Sequence, residues 1–181
     1  MSIFARFKAI GDDDKAAAVR KLMQSSTPNF DFFYITALSV AMATLGLLMD
    51  NIAIIIGSML IAPVLYPLLA LALGLSMSNP VVMSRSFFTI VKSFVIGVGV
   101  SVVVTILFAE SSVETFEVMA RVEPSLLNFL VALVAGAAVA FAIAQPEWSE
   151  TLPGVAISVA LIPPLAVVGI GIAEFNESII S

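Results

Sequence analysis

The sequence predicts an all-α integral membrane protein with about five transmembrane helices, and three observations carry that reading. Hydrophobic residues make up 60% of the 181-residue chain and charged residues only 12%. With a mean hydropathy of +1.11, this is more apolar surface than one soluble core of that length can bury. The charges crowd into residues 1–31, 110–123, 145–153 and the last turn, leaving apolar tracts of the roughly 20 residues that a bilayer crossing takes. Two of those tracts carry matching proline-containing runs near mid-length.

Residues 1–30 read as a peripheral tail. Ile3, Phe4, Phe7 and Ile10 recur at helical spacing opposite Arg6 and Lys8, which fits a segment lying in the headgroup layer or a polar tail with scattered apolar residues. Asp12, Asp13 and Asp14 favour a helix start, Lys15–Gln24 follows as a short helix, and Ser25-Ser26-Thr27-Pro28 breaks it. Five spans are expected at Phe32–Met49, Ile52–Ser78, Ser86–Ala109, Leu126–Ala144 and Leu152–Ala173. Asp50-Asn51 joins the first two as a tight antiparallel hairpin, and Asn79-Pro80 ends the second. In the 110–125 loop, Ser111 with Glu114 fits a capping box, and Val113, Phe116 and Met119 form an apolar stripe before Pro124. A short surface helix is expected there.

Lys and Arg set the orientation. Arg6, Lys8, Lys15, Arg20, Lys21, Arg85 and Lys92 fall on one face if spans alternate, and the other face has Arg121. The N-terminus is therefore expected in the cytoplasm and the 110–125 loop outside, in a cell (inner) membrane. No basic-then-apolar leader precedes the first span, which is expected to serve as the insertion signal.

The run Ser58-Met59-Leu60-Ile61-Ala62-Pro63-Val64-Leu65 lays onto Ser158-Val159-Ala160-Leu161-Ile162-Pro163-Pro164-Leu165. Alternation makes the two cross in opposite senses. Pro63 and Pro163 each fall about 11 residues into their spans, near the middle of a core about 30 Å thick. This is the layout of inverted-repeat transporters with broken midplane helices. The expected organisation is a tail (1–30), a first three-helix repeat (31–109), an external loop (110–125) and a second repeat (126–181) of two helices without a sixth. A proline removes an N–H and clashes with the carbonyl four residues back, so each of these helices is expected to break. In lipid the freed carbonyls are tolerated where protein or water covers them, and a kink that only shapes packing is the alternative.

Asp50-Asn51 with Gly57-Ser58-Met59-Leu60-Ile61-Ala62-Pro63, and the run Leu152–Leu165, resemble the domain of unknown function 389, a "conserved hydrophobic domain" family, over about residues 30–175. The resemblance implies a bacterial and archaeal membrane module of six spans with no settled activity. The present sequence would then be truncated, or its second half incomplete.

Candidate site residues follow from the breaks: Ser58, Pro63, Pro67, Ser158, Pro163 and Pro164, with the two serines as polar liners beside freed carbonyls. Asp50 and Asn51 are turn or cap residues, or the mouth of a cation path. Lys92 either snorkels to the interface or contacts an anionic substrate or lipid phosphate. Ser93, Gly97, Ser101 and Thr105 give the third span a small-residue face, and Gly136, Ala140 and Ala144 give the fourth another, each a packing seam. The net charge of −5 argues against nucleic-acid binding. With no Cys and no His, thiolate and imidazole chemistry is excluded, and no cofactor or metal is expected. No P-loop is present, and Asp31 and Asp50 fall on opposite faces, so an enzyme is not expected. The leading expectation is permeation of a small solute or ion. A non-transporting scaffold or sensor is the alternative, and a homo-oligomer is expected under either.

Overall fold

A computed structural model describes residues 29–109, 115–122, 126–143 and 151–175, with the side chains at 128, 139–143 and 151–160 left aside. The expectations for the 1–28 tail, the Ser111–Glu114 capping box, Pro124 and the 145–150 loop lie outside the described residues, as do those for the side chains of Ser158 and Ala140. Among the described residues there are seven helices: α1 (Phe30–Leu48), α2 (Ile52–Ile61), α3 (Leu65–Ser76), α4 (Pro80–Phe108), α5 (Phe116–Met119), α6 (Leu126–Ile143) and α7 (Thr151–Glu174). Two of them, α1 and α4, are long and apolar enough to cross a membrane. The bent pair α2–α3 makes a third if it counts as one span.

The α1–α2 corner is built by a specific hydrogen-bond pattern. Asn51 N–H donates to Gly46 O at 2.9 Å and Asp50 N–H to Leu47 O at 3.2 Å, while Asp50 takes φ 49°. These are the two bonds of a Schellman ending, with Asp at the left-handed position more often held by Gly or Asn. Asn51 then caps α2, its Oδ1 accepting the N–H groups of Ala53 (3.0 Å) and Ile54 (3.3 Å).

The α3–α4 corner repeats this bond for bond. Asn79 N–H donates to Gly74 O at 2.9 Å and Ser78 N–H to Leu75 O at 3.2 Å, with Ser78 at φ 50°. Asn79 Oδ1 accepts from Val81 (3.1 Å) and Val82 (3.3 Å). Both corners read Gly-Leu-x-Met-x-Asn, Gly46 to Asn51 and Gly74 to Asn79. The glycine is needed because the next helix passes close by: a Cβ at Gly46 would sit 3.0 Å from Ile55 N, and one at Gly74 would sit 2.9 Å from Met83 N. This doublet was legible in the sequence, and the expectation that Asn79-Pro80 merely ends a span missed it. Pro80 is the first residue of α4, where its missing N–H costs nothing, so α4 starts there and not at Ser86.

The second hydrophobic segment is broken as expected. Ala62 is extended (φ −67°, ψ 122°), the conformation a following proline imposes, and α2 and α3 meet at 55°. Pro67 falls in the first turn of α3, where a proline is tolerated. The fifth segment is not broken: α7 runs as one helix through Pro163-Pro164, which corrects the expectation of two broken helices. The reason is position. α7 packs against α1, α2, α3, α4 and α6, and Ile162, Pro163, Leu165, Ala166, Val167 and Ile170 are all buried, so its neighbours hold it as one helix. At the α2–α3 break the outward side is open, with Leu60 and Ile61 exposed, while Ala62 and Val64 stay buried. The expected 110–123 surface helix is a single turn, α5, capped by Thr115 Oγ1 accepting from Val118 N–H.

Three helices run in the same direction. Gly97 of α4 lies against both Val40 of α1 and Leu165 of α7. Four residues further along, Ser101 meets Thr44, and it bonds Ala166 with Gly169 alongside. Both rungs rise together, so α1, α4 and α7 are parallel, and α2 returns antiparallel to them. The small-residue face expected on α4 is this seam: Ser93, Gly97, Ser101 and Thr105 are all buried. Gly136 of α6, expected to form a second seam, is exposed and its missing side chain faces open space.

Candidate functional site

The break in the second segment has a hydrogen bond from the neighbouring helix just before it. Ser58 is fully buried and its hydroxyl donates to Ile55 O at 2.6 Å, one turn back. Its carbonyl accepts the hydroxyl of Ser39, on α1, at 2.6 Å. Pro63 has no N–H, so the carbonyl of Met59 loses its helical donor at this point. Ser58 therefore stands just before the break, and Ser39 of α1 bonds to it there, a contact that sequence reasoning did not find. The signal was available: Thr36, Ser39, Val40, Ala43, Thr44 and Leu47 recur at helical spacing as the buried face of α1.

A second polar node lies one turn along. Thr44 Oγ1 is 3.0 Å from Ser101 Oγ, and the Ser101 hydroxyl donates to Ala166 O at 2.7 Å. This chain ties α1, α4 and α7 through groups that are wholly buried. Thr89, Ser93 and Thr105 of α4 are buried too and donate back to the carbonyls of Arg85, Thr89 and Ser101. The hydroxyl of Ser86 is buried with no hydrogen-bond partner among the described residues.

The remaining candidates separate by place. Pro67 and Pro163 are fully buried and Pro63 is half-buried, whereas Pro164 is exposed and does not line the interior. Counting from the Gly97 rung, Pro163 stands about level with Ser39, so it shares the depth of the break. Ser158 lies within α7. Asp50 and Asn51 are exposed at the α1–α2 corner and hold backbone. Asp50 Oδ1 accepts Glu117 N–H at 2.9 Å, and Thr115 Oγ1 donates to Leu47 O at 2.9 Å. Together with the Arg121–Glu117 pair and the fully buried Val118, these bonds pin the 115–122 segment over that corner. Lys92 is exposed on the outside of α4, away from the break.

Fold and site together define an all-helical protein whose long helices are apolar on the outside and carry hydroxyl groups within. The chain belongs to the family described as "Domain of unknown function (DUF389)", whose model matches residues 59–181. It is 29% identical over 133 residues to an uncharacterized protein of Methanocaldococcus jannaschii, covering 74% of this chain and 41% of the relative. The chain thus spans about two fifths of the length of that curated relative. No solved structure matches.

Proposed function

We propose that this chain is a multi-pass protein of the cell (inner) membrane. Its five or so helices, with the N-terminus in the cytoplasm, pass a small solute or ion along the interior beside the Ala62–Val64 break. The observation that carries this reading is the 55° break in mid-segment, set against an interior of hydroxyls and carbonyls. Broken helices at membrane depth persist where they are buried in protein or line a wet path. Asp31 and Asp50 are exposed, and Glu117 and Glu174 lie near the ends of their elements. No carboxylate among the described residues is therefore placed at the break, and neutral dipoles suit a channel or a carrier of weakly charged or anionic solutes better than a proton-coupled site.

A second reading has its own observation. The Ser39–Ser58 bond and the Thr44–Ser101–Ala166 chain tie interior hydroxyls to protein acceptors, as a non-transporting, oligomeric scaffold would require. One experiment separates the two. The chain contains no cysteine, so Ser58→Cys gives a single reporter thiol in proteoliposomes. Labelling by a membrane-impermeant reagent, and loss of solute flux in Ser58→Phe, are expected for a path. Complete protection from both faces, with no flux across a broad panel of ions and solutes, establishes the scaffold instead.

A further inference from the structure

Arg85 and Lys92 lie seven residues apart on α4, which returns them to within about 20° of the same helical face. Both are exposed, and that face is otherwise apolar: Phe88 (59% exposed), Val91 and Val95 (68%) are open to the outside. Neither cation has an ion pair or hydrogen bond among the described residues. Asp31, the described carboxylate at that end of the bundle, is exposed and unpaired with either. By contrast Arg121, at the other end, is matched to Glu117.

A bare lysine on a lipid-facing surface has to bring its charge to the interface. Its direction is set by the helix: side chains lean toward the N-terminus, which here points to Arg85. The two Cα atoms are about 10 Å apart along the axis and each side chain reaches about 6 Å, so a phosphate lying between the two levels is within reach of both heads. Two cations within reach of one phosphate, beside the exposed ring of Phe88, match one acidic headgroup with its acyl chains against the apolar face.

We propose that Arg85 and Lys92 clamp the headgroup phosphate of an anionic phospholipid on the outer surface of α4. The site rests on the membrane placement above but not on permeation, so a failure of flux leaves it untouched.

The test uses the full chain in nanodiscs of phosphatidylcholine with or without phosphatidylglycerol, with bound lipid counted after extraction into neutral detergent. Phosphatidylglycerol is expected to be retained over phosphatidylcholine. Lys92→Leu and Arg85→Gln should each cut that preference about fivefold, the weight of one juxtamembrane basic residue. Lys92→Leu keeps the surface apolar, so unchanged helicity and melting in phosphatidylcholine separate loss of binding from loss of fold. Arg121→Gln should leave the preference intact. The proposal is overturned if both variants at positions 85 and 92 keep the full preference, if Arg121→Gln abolishes it equally, or if millimolar inorganic phosphate displaces the lipid, which would make the site one for free anions.

Discussion

Gly169→Ala should be among the most damaging small changes in the described bundle, and its cost can be worked from the packing. A Cβ at Gly169 would lie 2.3 Å from Ser101 Cβ, 2.5 Å from Ser101 Oγ and 3.1 Å from the carbonyl of Val98. Unstrained carbon contacts are about 3.5–4.0 Å, so α4 and α7 would have to part by more than about 1 Å. Overpacking of this kind costs about 1–3 kcal/mol. The parting also strains the Ser101–Ala166 hydrogen bond, worth about 0.6 kcal/mol between membrane helices. Against this stands a helix-propensity gain of about 1 kcal/mol for Gly→Ala. The net expectation is a loss of about 0.5–2.5 kcal/mol, read by SDS titration with circular dichroism. Gly136→Ala, where the new methyl meets nothing within 4 Å, should be neutral or mildly stabilising. In a Ser101→Gly background the cost of Gly169→Ala should fall below about 1 kcal/mol, because the clashing Cβ has gone. A Gly169→Ala protein as stable as the parent, or an equal cost in both backgrounds, refutes the packing argument.

Two further outcomes follow from the corners. Asn51→Ala and Asn79→Ala each remove a cap that accepts two N–H groups. Each should destabilise by about 0.5–2 kcal/mol in the same titration, and because the geometry is duplicated the two losses should agree closely. Asp50→Ala frees the N–H of Glu117 and should make tryptic cleavage after Arg121 several-fold faster, as local opening becomes easier. Asp50→Asn keeps the acceptor and a residue suited to positive φ, so cleavage should stay near the parental rate, and equal rates in all three proteins would show that Asp50 does not pin the segment.

Where local chemistry decided the structure, it was legible in the sequence. Asp50-Asn51 had to turn, Pro63 had to end a helix, and the four-residue spacing of Ser93, Gly97, Ser101 and Thr105 had to mark a packing face. Reading failed where the surroundings decide. Pro163-Pro164 carries the same local penalty as Pro63, yet α7, packed against five other helices, runs on as one helix while the second segment breaks at Ala62. Similarly, no spacing rule couples Ser39 to the carbonyl of Ser58, because that bond exists only once α1 and α2 have folded back on each other. Thr115 was hidden for the same reason, since the carbonyl it reaches belongs to Leu47, far upstream in the chain.

The duplicated corners have a mechanical consequence. Each joins its two helices with no slack, since a backbone bond reaches back to a glycine on one side and an asparagine cap reaches forward on the other. The α1–α2 and α3–α4 pairs are therefore two stiff brackets, and the backbone that links them is Ala62–Val64. Any swing of one bracket against the other has to turn that joint and also shift α4 along α1, across the Thr44–Ser101 contact, while the Ser39–Ser58 bond, which lies within the first bracket, would travel with it.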